Sequence, residues 1–190
     1  MSKPILLSVT ISCLLLLQGC SSIISAVTPG PIEEDKDERT TGAYLDDEII
    51  ETKALVNIDK ADPELAQAHV IVTSYNGVVL LAGQVGTNDL RQLAATTVAK
   101  IGNVRRVHNE LSVAGNTTMV ARSNDAWITT KVKTKLYTNS ETEGGRIKVV
   151  TENGVVYLMG LVTREEGDRA ADIARKTAGV QKVVRIFEYI

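Results

Sequence analysis

The apolar and polar positions of this chain fall into one pattern written twice. A stretch of helical period near residue 46 gives way to two apolar runs, His69 to Tyr75 and Val78 to Val85. A second helical stretch and a last run, Val104 to Val113, follow. From Asn124 the same succession recurs, with runs at Arg146 to Glu152, Val155 to Val162 and Val180 to Ile190. Each pair of runs flanks an Asn-Gly step, Asn76-Gly77 and Asn153-Gly154. Asn-Gly between apolar runs predicts a tight β-hairpin, because both central residues must take positive φ. A helix is expected before each hairpin, opened by Asp46/Asp47 in one copy and Asn124/Asp125 in the other, whose side chains can cap the first amides. A second helix is expected from near Thr87 and near Thr163. Thr163-Arg-Glu-Glu166 has capping-box spacing, and Gly102 and Gly179 suit a left-handed stop. The predicted order is α-β-β-α-β, an α+β unit with two helices on one face of a small mixed three-stranded sheet.

The two units are copies. Residues 74 to 85 match residues 151 to 162 at a constant offset of 77, with identities at Asn76, Gly77, Val78, Val79, Leu81, Gly83 and Val85. Upstream, Asp47 to Lys53 parallels Asp125 to Lys131, and downstream Gly102 to Val107 parallels Gly179 to Val183. Repetition at a fixed period marks tandem structural units. The domains are therefore placed at 44–113 and 124–190, joined by 114–123. Gly77 and Gly154 are assigned to the turns, and Gly83 and Gly160 to a bulge or a close approach of backbone.

The amino terminus changes the setting. One cation, Lys3, precedes an apolar run from Ile5 to Leu17. A bilayer core takes roughly 20 apolar residues to span, so this shorter run reads as a secretory signal, residues 1–19. Leu17-Gln18-Gly19-Cys20 resembles the bacterial lipobox. That resemblance implies cleavage before Cys20, a diacylglycerol on its sulfur and an acylated new amino terminus, with no other cofactor. Ser21, rather than aspartate, follows the cysteine, which the same resemblance associates with the outer membrane. Cys13 leaves with the signal and Cys20 carries lipid, so no thiol remains for a disulfide, a metal or nucleophilic catalysis. Residues 20–43 read as a flexible linker, with five acids and two bases from Glu33 to Arg39.

The repeated N-G-V-V-x-L-x-G-x-V motif and the α-β-β-α-β order resemble the BON domain of bacterial osmotic-stress and nodulation proteins. Two such domains behind a lipobox resemble the dual-BON outer-membrane lipoproteins of Gram-negative bacteria associated with division and envelope stress. The resemblance implies binding of anionic phospholipid such as phosphatidylglycerol, and a part in envelope integrity. The motif residues themselves shape the fold and mark no binding site.

No arrangement of residues argues for catalysis. His69 and His108 have no counterparts in the other copy, the acid pairs sit at expected helix starts, and neither metal-ligand spacing nor a phosphate loop occurs. The periplasmic setting and the acidic balance argue against nucleic acid.

Charge separates the copies. Residues 44–113 carry six bases and nine acids, net −3, whereas residues 119–190 carry twelve bases and nine acids, net +3. The second copy suits an anionic surface, where each base contributes about 1 kcal/mol. It also holds the only tryptophan, in Asn124 to Tyr137. On a helical wheel Ile128, Val132 and Leu136 form the core stripe, and Trp127 lies about 140° from its centre. Trp127, Thr130, Lys131, Thr134 and Lys135 form a second face, with Lys133 off to the side. Tryptophan with lysine suits the head-group region of a bilayer, so Trp127, Thr130, Lys131, Lys133, Thr134 and Lys135 are the candidate phospholipid-binding residues. The first copy places Ile49 and Lys53 at matching positions without the cationic setting, which leaves packing of Trp127 between the domains as an alternative. A second functional reading is a module that binds envelope proteins through its open sheet edges.

Overall fold

The computed structural model describes residues 39–190; the signal stretch, Cys20 and the acidic run up to Glu38 lie outside the described residues. The first unit runs α1 (Thr41–Ala61), β1 (His69–Tyr75), β2 (Val78–Val85), α2 (Asn88–Val98) and β3 (Arg106–Val113). The second runs α3 (Met119–Thr138), β4 (Ile147–Glu152), β5 (Val155–Val162), α4 (Arg164–Arg175) and β6 (Lys182–Tyr189). One turn of 3₁₀ helix precedes β1 and β4. In each sheet the central strand pairs antiparallel with its hairpin partner and parallel with the last strand, in the orders β1-β2-β3 and β4-β5-β6. Both are the expected α-β-β-α-β units.

Both Asn-Gly turns have the required backbone, with φ of 52° and 73° at Asn76 and Gly77 and 49° and 75° at Asn153 and Gly154. Thr87 and Thr163 cap α2 and α4, and Thr163 with Glu166 completes the capping box. Gly83 permits a close approach of backbone, since a Cβ there would lie 1.9 Å from the His69 carbonyl oxygen. After α2, Asn103 (φ 67°) takes the left-handed position expected of Gly102, while Gly179 (φ 100°) fills that role after α4.

The starts of the long helices differ from the sequence reading. Thr40 and Thr118 cap α1 and α3 by accepting from the amides of Ala43 and Ala121. Asp47 and Asp125 therefore sit within the helices, buried, and each bonds the hairpin of its own domain. Asp47 accepts from the Asn76 and Gly77 amides at 2.7 and 2.9 Å, from the Ser74 hydroxyl at 2.6 Å and from Arg39 at 2.8 Å. Asp125 accepts from the Asn153 and Gly154 amides at 2.7 and 2.9 Å. The buried Gly77 and Gly154 amides need such partners, and a charged acceptor makes the bond stronger.

Each domain has a core between its sheet and its helices. Ile50, Ala54 and Ile58 of α1 meet Val79, Leu81 and Val85 of β2; Ile128, Val132 and Leu136 of α3 meet Val156, Leu158 and Val162 of β5. A third apolar layer forms where the helix-free faces of the two sheets meet: Tyr75, Val78, Leu80 and Ala82 pack with Tyr157, Met159 and Ile186. Polar groups of both domains ring this layer. Glu152, 5% exposed, accepts from Gln84 at 2.6 Å and lies 3.3 Å from His69 Nε2. Lys148 donates to Glu51 at 2.7 Å, and Arg105 forms a forked pair with Glu188 at 2.7 and 3.1 Å. The order of layers is helices, sheet, sheet, helices, so α1 and α3 face outward on opposite sides.

Candidate membrane-contact site

The helix α3 has twenty residues, about 30 Å at 1.5 Å per residue. Its inward stripe behaves as the wheel requires, with Ile128, Val132 and Leu136 each 0% exposed. Trp127 lies on the outer side, 63% exposed, and belongs to none of the three buried clusters. Its ring therefore does not pack between the domains. Three further apolar side chains stand out along the same helix: Met119 at 74%, Val120 at 80% and Tyr137 at 66%. Val120, seven residues before Trp127, lies almost directly below it on the wheel. Neither Met119 nor Val120 entered the sequence reading, because both fell in the stretch taken as the connection between domains.

The candidate polar residues separate by what they touch. Lys131 is half-buried, and its ammonium donates to the Ala178 carbonyl at 2.7 Å, just beyond the end of α4. Lys133 and Lys135 are exposed. Thr130 is exposed, and its hydroxyl donates back to the Ala126 carbonyl at 2.9 Å. Thr134 is exposed, and its carbonyl accepts from the Thr138 hydroxyl at 3.0 Å. Lys135 borders an open groove of about 300 Å³ whose other walls are Thr138, Asn139, Ile173 and Lys176. The structure thus brings Trp127 and the three lysines onto one outward-facing helix and adds Lys176, from α4, to the basic group. Lys176 stands 45 residues on from Lys131 in sequence, and no local pattern ties it to α3.

The matching helix in the first domain makes a useful contrast. Leu45, Ile49 and Val56 of α1 are 58%, 50% and 46% exposed, yet α1 carries Asp46, Asp47, Glu48, Glu51 and Asp59 against Lys53 and Lys60. On α3 the bases Arg122, Lys131, Lys133 and Lys135 face one acid, Asp125, and that acid is buried in the turn contact. Apolar exposure is common to both helices, whereas positive charge belongs to α3. Among the described residues no helix is long and apolar enough to cross a membrane, and no group of three or more His, Cys, Asp or Glu is placed to hold a metal ion.

Comparison with known proteins places the fold and the repeat. The BON domain profile matches residues 46–115 and again 124–189. The outer membrane lipoprotein DolP of Haemophilus influenzae is 37% identical over 187 residues, 97% of this chain and 95% of that protein. A 21 kDa hemolysin of Actinobacillus pleuropneumoniae is 36% identical over 81% of this chain and 79% of its own length. The osmotically-inducible protein Y of Escherichia coli is 28% identical over 78% of this chain and 75% of its own length. With two profile matches that together span most of the described residues, the chain belongs to the BON domain family and carries two copies of the domain.

Proposed function

We propose that this protein is a lipoprotein held on the periplasmic face of the outer membrane by acylated Cys20, and that its second BON domain binds anionic phospholipid through the outer face of α3 and so supports the integrity of that membrane. The observation that carries the reading is Trp127, 63% exposed on a helix whose bases outnumber its acids. A tryptophan ring is stable at head-group depth, where its apolar body is shielded and its N–H stays wet. The lipobox and the outer membrane lipoprotein similar over nearly the whole chain support the anchor and its location. The anchor retains the protein, so the contact through α3 need only be weak. At the high effective concentration that tethering creates, it orients the domains and favours regions rich in anionic lipid.

Trp127 supplies its own test, being the only tryptophan. In the unlipidated chain from residue 21 onward, its emission shifts to the blue on addition of phosphatidylglycerol vesicles, and much less with phosphatidylcholine vesicles or in high salt. An emission spectrum indifferent to phosphatidylglycerol would overturn the reading.

A further inference from the structure

The groove between the carboxyl-terminal ends of α3 and α4 holds two cations, Lys135 and Lys176, that suit the helix dipoles but bond no protein group among the described residues. Lysines near a helix end commonly bond its last carbonyls. Here other donors already occupy those carbonyls. At the end of α3, the Thr138 hydroxyl donates to the Thr134 and Lys135 carbonyls, and the Thr142 hydroxyl donates to that of Leu136 at 2.8 Å. At the end of α4, the Thr177 hydroxyl donates to the Ile173 carbonyl at 2.8 Å, and the amides of Lys176 and Thr177 donate to the carbonyls of Asp172 and Ala174. Lys131 takes the Ala178 carbonyl. The nearby acid Asp172 is paired with Arg175. The ammonium groups of Lys135 and Lys176 make no hydrogen bond or ion pair among the described residues, and both lysines line the groove together with half-buried Ile173.

We propose that this groove seats the phosphodiester of one anionic phospholipid, with Lys135 and Lys176 contacting its non-bridging oxygens and Ile173 lying against the glycerol. The inference rests on the reading that α3 meets anionic lipid, and it changes what that contact is. Surface adsorption by a charged helix would use every lysine alike. A seated head group assigns phosphate binding to Lys135 and Lys176, leaves Lys131 to tie α3 to α4, and brings a residue of α4 into the site. Charge complementarity selects the occupant: two uncommitted cations sharing a groove with an aliphatic side chain match a phosphodiester with a glycerol attached. The groove is also continuous with the Trp127 face, because Lys131, which joins α3 to the end of α4, lies on the wheel between Trp127 and Lys135.

The test uses the chain from residue 21 onward in four versions: unaltered, Lys135→Ala, Lys176→Ala and, as a charge-matched control on the opposite side, Lys60→Ala. Dihexanoyl phosphatidylglycerol, kept below its micelle concentration, shifts the amide resonances of Asn139, Ile173 and Lys176 with one-site saturation, and inorganic phosphate at equal concentration shifts them far less. Affinity for phosphatidylglycerol vesicles falls about fivefold in Lys135→Ala and in Lys176→Ala, the equivalent of about 1 kcal/mol per lysine, and stays within twofold in Lys60→Ala. Amide spectra with native dispersion show that each variant is folded, and Lys176→Gln repeats the test with less change in side-chain volume. If Lys176→Ala binds vesicles as the unaltered chain does while the Trp127 blue shift persists, the groove proposal falls and lipid binding by α3 stands. Equal losses in all three variants, or equal shifts with inorganic phosphate, overturn the groove as well. If the unaltered chain gives no blue shift at all, both proposals fall together.

Discussion

Asp125 shows how far one side chain can be read from sequence alone. Its position before an amphipathic stretch suggests a helix cap, and aspartate is a good cap. Thr118 takes that duty instead, and the Asp125 carboxylate crosses to the Asn153-Gly154 turn, as Asp47 crosses to Asn76-Gly77. Local propensity detects a cap because the cap acts within one turn of helix; it carries no information about a partner 28 or 29 residues away. The repeat did contain a hint, since an aspartate precedes each Asn-Gly at nearly the same spacing, 29 residues before Asn76 and 28 before Asn153. Replacing Asp125 by alanine leaves the buried Gly154 amide and the part-buried Asn153 amide without an acceptor, at about 1–3 kcal/mol for the buried one and less for the other, which water can reach. Asp125→Ala should lower unfolding stability by about 2–4 kcal/mol, read as a lower urea midpoint at unchanged slope. Asp125→Asn keeps an acceptor oxygen and should lose less. A midpoint unmoved by Asp125→Ala would show that the carboxylate does not hold the turn.

At the scale of the element, α3 has two distinct faces, one buried and apolar and one exposed and cationic. Its inner stripe was legible because the 3.6-residue period needs no partner to be visible: Ile128, Val132 and Leu136 are buried and Trp127 is out. The division of labour among its lysines was not legible, because it depends on α4, which places Ala178 under Lys131 and Ile173 with Lys176 beside Lys135. The two faces should respond to mutation independently. Leu136→Ala opens a cavity in a fully buried position and should cost about 2–5 kcal/mol of stability. Trp127→Glu alters an exposed position and should move stability by no more than about 0.5 kcal/mol, while abolishing the vesicle-dependent part of binding. Chemical denaturation and vesicle co-sedimentation on the same two proteins check this. If Trp127→Glu unfolded at a much lower urea concentration, the tryptophan would be a packing residue after all.

For the whole molecule, the decisive feature is that both central strands are apolar on both faces. In Val78 to Val85 and Val155 to Val162, one face meets helices and the other meets the opposing sheet. Strands covered on both sides read as continuous apolar runs rather than alternating ones. The runs were plain in the sequence, yet the hairpin signal accounted for them and the second buried face went unread. This back-to-back arrangement puts the helices of the two domains on opposite faces of the double sheet, and of the two long helices α3 is the cationic one. The buried layer between the sheets also carries titratable groups. Tyr157 lies in it, 5% exposed, and burial first, then the charges of Glu110 and Glu152, push its phenol up to about 12. Burial likewise raises Tyr75 across the layer. In the unfolded chain a tyrosine loses its proton near pH 10. Above that pH the folded state therefore binds more protons than the unfolded state, and stability falls as pH rises from about 10 towards 12. Below pH 10 the phenol is protonated in both states and contributes no slope. Tyr157→Phe keeps the ring in the layer without its proton, so its urea midpoint should decline less between pH 9 and 11 than that of the unaltered chain. Lysine titration is common to both proteins and cancels in the comparison. Parallel declines would mean that the Tyr157 hydroxyl reaches solvent and that the two sheets are not closed over it.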